Sequence, residues 1–317
     1  MKTISILIPC YNENENVEPI SSAVVELFDN KLKNYDYEIV FIDNASNDGT
    51  RKKLETICEN NRRIKAIFNI ANFGQFNSPF YGLTQTSGAC TVLLCCDFQD
   101  PIELIPHFIE KWEKGHRIVI AQKTTSKENT IIYFCRSFYY YMLKKISNVD
   151  IIEHFTGFGL YDRSFIEILR NLNDSNPFLR GIVAEYGSGF NITTIEYEQA
   201  KRRAGKTHNN FFSLYDAAML SFTNYTKAGL RAATFIGVFV AVASFFIGLF
   251  YLVYKLLMWD RFDAGLAPLT IGMFFLGGTI LVFLGVVGEY ILNINMRVIN
   301  RPLVIEEKRI NFEQTLK

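Results

Sequence analysis

The segment DFQDP at residues 97–101 contains the side chains best suited to metal chemistry. It ends an apolar, strand-like run, Cys90–Asp97, so Asp97 and Gln99 can direct their side chains towards one point. Carboxylate and amide oxygens suit Mg²⁺ or Mn²⁺, and a metal on a diphosphate stabilises the charge of a departing nucleotide. We therefore predict Asp97 and Gln99 as metal ligands and Asp97 as a catalytic residue. The alternative is a plain loop in which Asp100 caps the following helix.

A second polar cluster, DNASNDGT at residues 43–50, follows the strand-like run YEIVFID. Asp43 stands where a carboxylate can accept hydrogen bonds from a base or a ribose, as acidic residues do in other nucleotide sites. Clusters of Asn, Asp, Ser and Gly are also common in turns, so this segment alone decides nothing. The segment supports a nucleotide site because other polar groups also follow strand-like runs, at Tyr11–Glu13 and Asn69–Asn72.

The elements that must position these side chains alternate between strand and helix. The order βαβαβαβ predicts an α/β domain with a doubly wound, mostly parallel sheet. Such sheets bind ligands beyond the carboxyl ends of their strands, which is where the polar clusters lie. The predicted elements are the strands Thr3–Pro9, Tyr37–Asp43, Lys65–Ile70, Cys90–Asp97 and Arg117–Ala121, and the helices Val17–Leu32, Phe80–Thr86, Glu103–Lys114 and Thr130–Ile146.

The last third of the chain has long apolar runs in place of this alternation. Thr234–Tyr254 and Leu266–Gly288 hold no charged residue, and at ~1.5 Å per residue each can cross the ~30 Å hydrocarbon core of a membrane. Asn209–Leu230 has a broad apolar face and is predicted to lie at the membrane surface, with a core-packing helix as the alternative. The predicted domains are a cytoplasmic α/β domain (1–208), an amphipathic interface helix (209–230), a transmembrane hairpin (231–293, spans about 234–257 and 266–290) and a cytoplasmic tail (294–317).

The charges around the hairpin predict its orientation. Basic residues precede the first span and follow the second, while the connecting loop WDRFDAG is nearly neutral, so both termini are expected on the cytoplasmic side of the cell (inner) membrane. Glycines in the second span would let helices approach closely, as in a homo-oligomer. The net charge of +1 provides no global field for DNA or RNA, and this excludes nucleic acid as an expected partner.

Taken in order, the motifs resemble those of family 2 glycosyltransferases. Within that family the chain is similar to the polyprenyl-phosphate branch, which includes dolichol-phosphate mannose synthases and bacterial undecaprenyl-phosphate glucosyltransferases. The resemblance covers nearly the whole chain and implies a GT-A fold, a nucleotide-sugar donor, a divalent metal and inversion at the anomeric carbon. The motifs are SILIPCYNENENV, FIDNASNDGT, ANFGQFNSPFYGL, CDFQDPIELI, FGLYDRS and RRAGKT, followed by the two-helix hairpin.

The resemblance also implies roles for individual residues. Asp97 and Gln99 match the metal ligands of the family. The acceptor phosphate is expected to bind to basic residues in the aromatic helix and in the RRAGKT loop. The alternative is that basic residues there only follow the positive-inside rule, as is common just before a membrane helix. The implied nucleotide-sugar-binding residues are Pro9, Tyr11, Asn12, Glu13, Asp43, Asn44, Asn72, Gly74, Gln75 and Asp97, and the implied acceptor-phosphate-binding residues are Arg136, Arg202, Arg203, Lys206 and Thr207.

Three positions depart from the family pattern. Cys95 replaces the first of two acidic residues, and Asn44 stands where a second Asp is common, so weaker metal binding is expected. Gly157 replaces the Asp to which activation of the acceptor is sometimes assigned. His154 or Glu153 could act as the base instead. Alternatively no base is needed, because a phosphate monoester dianion, with a second pKa near ~6, is already nucleophilic.

The resulting hypothesis is an inverting hexosyltransferase that moves a sugar, with UDP-glucose or UDP-N-acetylglucosamine favoured as donor, to undecaprenyl phosphate for modification of a surface glycan. The resemblance further implies a homo-oligomer and a separate flippase partner. One alternative is a processive polysaccharide synthase, but the chain has two apolar spans and lacks a QxxRW-type motif. The other is a non-catalytic protein that binds nucleotide sugars, which Cys95 and Gly157 would suit.

Overall fold

A computed structural model describes residues 1–125, 145, 147, 149, 152–172, 174–205, 211–257 and 266–312. Arg136, Lys206 and Thr207 lie outside the described residues. So does nearly all of the aromatic helix predicted at 130–146.

Strands and helices alternate through the first half of the chain and then give way to long helices. The strands are β1 (Lys2–Cys10), β2 (Tyr35–Asp43), β3 (Ile64–Asn69), β4 (Cys90–Leu93), β5 (Ile118–Thr125), β6 (Phe155–Asp162), β7 (Ile192–Glu198) and β8 (Glu306–Ile310). The α-helices are α1 (Val17–Lys31), α2 (Thr50–Asn60), α3 (Gly74–Gln85), α4 (Ile105–Glu113), α5 (Arg163–Asn171), α6 (Leu179–Tyr186), α7 (Phe211–Tyr225), α8 (Ala228–Leu257) and α9 (Leu266–Ile299).

The eight described strands form one sheet in the order β7-β5-β6-β4-β1-β2-β3-β8. Pairing is parallel from β4 through β1 and β2 to β3, and between β5 and β7. The strand β6 runs antiparallel to both β4 and β5, and β8 runs antiparallel to β3. The predicted α/β, doubly wound and mostly parallel sheet is therefore confirmed.

Alternating side chains of β1 divide the core into two layers. Ile4, Ile6 and Ile8 pack with helices α1, α2 and α4 on one face of the sheet. Leu7 packs on the other face, with Phe80 of α3 and residues of α5 and α6. Because successive strand residues point to opposite faces, a run of apolar residues such as ISILI must be covered on both sides, and it is.

This topology brings one end of nearly every strand to a single edge. The carboxyl ends of β1, β2, β3 and β4 lie together, since these strands are parallel. The start of β6 joins them, because β6 runs antiparallel to β4 and pairs Gly159 with Leu93. The ends of β5 and β7 complete the edge. Below we call it the carboxyl edge.

Most predicted elements differ from the structure by one or two residues at an end, β5 continues to Thr125 and does not end at Ala121, and β4 and α3 also differ by more. β4 ends at Leu93 and not at Asp97, because the chain leaves the sheet towards a turn in which Phe98 has a φ of +60°. Helix α3 begins at Gly74 and not at Phe80, and it contains Pro79. Pro79 has no backbone N–H to donate inside the helix.

Helices α8 and α9 are long and apolar enough to cross a membrane. The candidate spans are Ala228–Phe250 and Gly272–Ile299, and neither is buried by the rest of the chain. The predicted interface segment 209–230 contains α7, which ends at Tyr225, and the start of α8 at Ala228. Helix α9 continues past the predicted end of the hairpin at 293, and the chain then returns to the sheet as β8.

Candidate active site

The loop after β1 is held against the loop after β2 by hydrogen bonds of the backbone. Asn12, with a φ of +56°, donates its N–H to Ser46 Oγ at 2.8 Å and accepts the N–H of Asn47 on its own Oδ1 at 2.9 Å. The N–H of Glu13 donates to Thr50 Oγ1 at 2.9 Å. The two loops therefore form one unit at the carboxyl edge. In this structure Asn12 serves to build that unit.

Asp43 lies at the end of β2 and is fully buried. Its Oδ2 accepts hydrogen bonds from Arg51 Nε at 2.8 Å and from the N–H of Ser46 at 3.2 Å. Its Oδ1 is also buried and has no hydrogen-bond partner among the described residues. An unsatisfied buried carboxylate oxygen is costly, so Asp43 has the capacity to accept a hydrogen bond from a bound molecule.

Asn44 holds the loop that follows β3. Its Nδ2 donates to Asn72 Oδ1 at 2.8 Å and to the carbonyl of Gly74 at 3.2 Å. Its Oδ1 accepts the N–H of Phe73 at 2.9 Å and Nδ2 of Asn69 at 3.1 Å. The amide both donates and accepts, which a carboxylate at this position could not do. The departure from the family's Asp thus has a structural consequence: Asn44 positions the Asn72–Gly74 turn, beside which Gln75 is exposed.

The loop after β7 brings a cation to the acidic residues of the carboxyl edge. Arg202 donates from Nη1 to Asp97 Oδ2 at 3.2 Å, and its Nη2 forms an ion pair with Glu13 Oε1. Asp97 Oδ1 in turn accepts the N–H of Gln99 at 3.1 Å. Burial raises the pKa of Glu13, and hydrogen bonds from Asn16 and Arg202 oppose that rise. One guanidinium therefore lies between two nearly buried carboxylates.

This arrangement bears on the predicted metal. Within the described residues, no group of three or more His, Cys, Asp or Glu side chains could hold a metal ion unaided. The carboxylates of Glu13 and Asp97 nevertheless converge on a single positive charge, that of Arg202. Together with the half-buried Gln99, Asp97 supplies hard oxygen donors of the kind Mg²⁺ and Mn²⁺ take. These residues would fit a divalent metal whose remaining ligands a diphosphate would supply.

Asp100 does not cap the following helix, contrary to the alternative raised by the sequence. The short 3-10 turn after Pro101 has no side-chain cap. Asp100 turns inwards instead, where its Oδ1 accepts the hydroxyl of Tyr197 at 2.9 Å and its Oδ2 accepts the N–H of Cys95 at 3.3 Å. Burial raises the pKa of Asp100 against these hydrogen bonds. The contact joins the β4 loop to β7 and so supports the position of Asp97.

Arg203 also lies at the carboxyl edge. Its N–H donates to the carbonyl of Asp97 at 3.2 Å. Its guanidinium stacks over the ring of Phe98, 5.0 Å from the centroid. Because Arg202 and Arg203 both contact the 97–99 segment, the described part of the RRAGKT motif and the DFQDP segment form one cluster. Lys206 and Thr207 of that motif lie outside the described residues.

Gly157, which stands at the position expected for an Asp base, and the alternative bases His154 and Glu153 lie at or just before the start of β6. Gly157 has a φ of +107°, and a Cβ there would be 3.4 Å from Leu93 Cδ2, so the strain at this position is in the backbone. His154 has a φ of +57° and accepts the N–H of Lys123 on its carbonyl at 3.3 Å. Glu153 accepts Nε2 of Gln122 on its carbonyl at 3.1 Å. Both candidate bases thus belong to the carboxyl edge by the antiparallel pairing of β6 with β4.

Residues 5–170 match the sequence model of glycosyl transferase family 2. The chain belongs to this family. The SfII prophage-derived bactoprenol glucosyl transferase of Shigella flexneri is 34% identical over 306 residues, which are 96% of this chain and 97% of that protein. A prophage bactoprenol glucosyl transferase homolog of Escherichia coli K12 is 32% identical over 303 residues, 95% of this chain and 97% of its own. The crystal structure of mannosyl-3-phosphoglycerate synthase from Rubrobacter xylanophilus is similar over 69% of this chain and 71% of that one, at 14% identity and a TM-score of 0.48.

For this family 2 glycosyltransferase, the predicted GT-A class and the predicted enzymatic class are confirmed. The structure brings Glu13, Asp97 and Arg202 into direct contact. Pro9 is the penultimate residue of β1 and lies in register with Ile42 of β2. The sequence did not single out Arg51 or Tyr197, whose contacts support Asp43 and Asp100. Tyr197 meets Asp100 only through the folded sheet, 97 positions away, whereas Arg51 directly follows the DNASNDGT segment and lies eight positions from Asp43.

Proposed function

We propose that the chain transfers glucose from UDP-glucose to a polyprenyl phosphate, with undecaprenyl phosphate as the bacterial acceptor. Full-length relatives named as bactoprenol glucosyl transferases support both the sugar and the lipid. The structural observation that carries the proposal is the contact between Arg202 and Asp97. Arg202 belongs to the segment that leads to the membrane helices, and Asp97 belongs to the DFQDP segment. A lipid phosphate and a nucleotide sugar would therefore meet at this point.

The donor would lie across the ends of β1 and β2. Asp43 would accept a hydrogen bond from the base or ribose on its unpaired Oδ1, as acidic residues at strand ends do in other nucleotide sites. Asp97 and Gln99 would hold a divalent metal, Mg²⁺ or Mn²⁺. When bound, that metal stabilises the negative charge of the leaving diphosphate. Arg202, which contacts Asp97, would face the acceptor phosphate.

The acceptor reaction needs few groups from the protein. An oxygen of the lipid phosphate forms a bond to the anomeric carbon of glucose while the bond from that carbon to UDP breaks, so the configuration inverts and UDP leaves. The dianion of the phosphate, with a second pKa near ~6, is itself nucleophilic. Orientation by the guanidinium groups of Arg202 and Arg203, with Arg136, Lys206 and Thr207 as further predicted contacts, would supply the rest.

The same proposal places α8 and α9 across the membrane with both termini in the cytoplasm. Their length and apolar composition support a hairpin. The pairing of β8 with β3 supports placing both ends of the hairpin on the same side of the membrane. The chain leaves the sheet before α7 and returns to that same sheet after α9. A homo-oligomer and a flippase partner remain predictions of the family resemblance.

The test is a transfer assay with the full-length protein in membranes or nanodiscs. We expect glucose from UDP-glucose to appear in a lipid whose mass is that of glucosyl undecaprenyl phosphate, and undecaprenol without the phosphate to accept nothing. UDP-N-acetylglucosamine serves as the competing donor. A product carrying N-acetylglucosamine would replace the proposed sugar, and a polymeric product would replace the proposed acceptor.

The metal is tested in the same assay. EDTA should abolish transfer, and Mg²⁺ or Mn²⁺ should restore it. Asp97→Asn should lower kcat by at least about 10²-fold, in the range found when a group that stabilises transition-state charge is removed. Asp36→Asn is the matched control, because the side chain of Asp36 is about half exposed at the start of β2, on the opposite edge of the sheet. Activity that EDTA leaves unchanged would remove the metal from the proposal.

A further inference from the structure

The strand that follows the membrane helices is built into the nucleotide side of the sheet. β8 pairs with β3, placing Asn69 beside Glu306 and Phe68 beside Lys308. Side chains around it reach the helices that flank β3: Tyr81 of α3 donates to Glu306 Oε1 at 2.7 Å, and Lys308 pairs with Glu55 of α2. The chain after α9 is therefore part of the catalytic domain.

Arg51 joins this strand to the candidate donor site. Its Nε donates to Asp43 Oδ2 at 2.8 Å, its Nη2 to the carbonyl of Asn69 at 2.5 Å, and its Nη1 to Glu307 Oε2 at 2.7 Å. The face of the guanidinium lies over the ring of Phe68, 5.6 Å from its centroid. A planar guanidinium that is engaged by three separate groups and one ring has little freedom to move.

We infer that Arg51 is a positioning residue for donor binding and that Glu307, on the strand after the membrane hairpin, holds it in place. Arg51 occupies Oδ2 of Asp43 and so leaves Oδ1 as the oxygen that a nucleotide can engage. Glu307 fixes the far side of the same guanidinium. This inference rests on the proposed function only in that Asp43 binds the donor.

A purely structural role would have different consequences. Lys308, the neighbour of Glu307, also makes an ion pair with a helix residue, Glu55, and both Glu307 and Lys308 are about half exposed at their side chains. If β8 only closed the sheet, removing either ion pair would affect the protein equally. The Arg51 contact makes them unequal, since Glu307 reaches Asp43 through one guanidinium, whereas Lys308 contacts Glu55 and the ring of Phe68.

The experiment measures UDP binding by calorimetry and the KM for UDP-glucose with the full-length protein in nanodiscs. For Arg51→Lys we expect Kd and KM to rise about tenfold, the size of one lost charge-assisted hydrogen bond, with kcat changed less than about twofold. Glu307→Ala should shift both in the same direction by about threefold to tenfold, and Glu307→Gln, which keeps an acceptor oxygen, should recover much of the loss. Lys308→Ala should leave both constants unchanged.

The outcomes separate the inference from the proposed function. Equal effects of Glu307→Ala and Lys308→Ala on UDP binding, or an Arg51→Lys protein that binds UDP as tightly as the wild type, would overturn the inference. Should Arg51→Lys fail to fold, the Glu307 variants still decide, because their side chain is at the surface. Failure of the proposed donor would be seen in the wild type itself, as tighter binding of GDP, CDP or ADP than of UDP. The variants would then be compared with whichever nucleotide binds.

Discussion

Arg202 and Asp97 are 105 positions apart in the sequence, yet Arg202 Nη1 lies 3.2 Å from Asp97 Oδ2. The same guanidinium pairs with Glu13. The three residues belong to three loops, after β1, β4 and β7, that only the sheet topology brings together. A basic group from the segment that precedes the long apolar helices thereby contacts the acidic groups of the predicted donor site.

Arg202→Ala is expected to lower the rate of sugar transfer to the lipid phosphate strongly. It removes the cation proposed for the acceptor phosphate and leaves two nearly buried carboxylates without their shared partner. We expect kcat/KM for the lipid phosphate to fall by about 10²-fold or more, in line with the loss of one partner of a desolvated charge pair. Kinetics at saturating UDP-glucose measure this. Lys201→Ala, an exposed neighbour, is the control and should behave as wild type, whereas wild-type kinetics for Arg202→Ala would refute the acceptor role.

Gly181→Ala is expected to disturb the docking of α7 on the catalytic domain. A Cβ at Gly181 would lie 2.1 Å from Cε2 of Tyr225, the last residue of α7, and the Tyr225 ring also packs on Phe178. Overpacking of this kind costs about 1–3 kcal/mol of unfolding free energy. Thermal unfolding in detergent should therefore show a lower midpoint for Gly181→Ala. Gly189→Ala, where an added Cβ meets nothing within 4 Å, should unfold like the wild type; a similar loss in both would mean that the Tyr225 contact is not the cause.

The first four strands were predictable because each carries a short apolar run that the sheet buries on both faces, as Ile39–Ile42 does within β2. β8 was not predictable by the same signal. Its sequence EEKRI is mostly charged, and it becomes a strand because β3 offers a free edge and because Arg51, Glu55 and Tyr81 supply partners for its side chains. Tertiary context overrode local pattern.

The candidate site likewise contains residues that the sequence predicted and residues that it did not. Asp43, Asp97 and Glu13 were predictable because polar residues at the ends of apolar strands must lie at the carboxyl edge. A cap role for Asp100 was the alternative raised by its place before Pro101, and its partner in the structure, Tyr197, is 97 positions away. Arg51 lies eight positions from Asp43, but its contact with Glu307, which spans 256 positions, had no sequence signal. Residues that support a site through long-range contacts leave no local pattern to detect.

Glu38 should make stability depend on pH on the acid side. Burial alone would raise the pKa of Glu38, but hydrogen bonds from Lys65, Ser5 and Ser87 outweigh it and hold the pKa below the ordinary 4.5. The folded state thus binds this proton less readily than the unfolded state does. The stability that Glu38 contributes is present above pH 4.5 and is lost as the pH falls through its depressed pKa.

Glu38→Gln tests this contribution. At pH 7 we expect the variant to lose about 2 kcal/mol of unfolding free energy, because Lys65 then lacks its buried counter-charge. The gap between variant and wild type should narrow as the pH is lowered below 4.5. Chemical unfolding at several pH values measures it. Glu110→Gln, at an exposed pair with Lys114, is the control, and a gap that is constant across this range would contradict the assignment.

His154→Ala should retain near-normal turnover, within about threefold, because the acceptor dianion, with a second pKa near ~6, needs no side-chain base. The rate should rise with pH through ~6 in the wild type and in the variant alike, since the titrating group is then the lipid phosphate. Single-turnover kinetics at saturating donor measure both. A loss of about 10²-fold or more in His154→Ala, together with the disappearance of the pH dependence, would instead assign His154 as the general base that Gly157 does not supply.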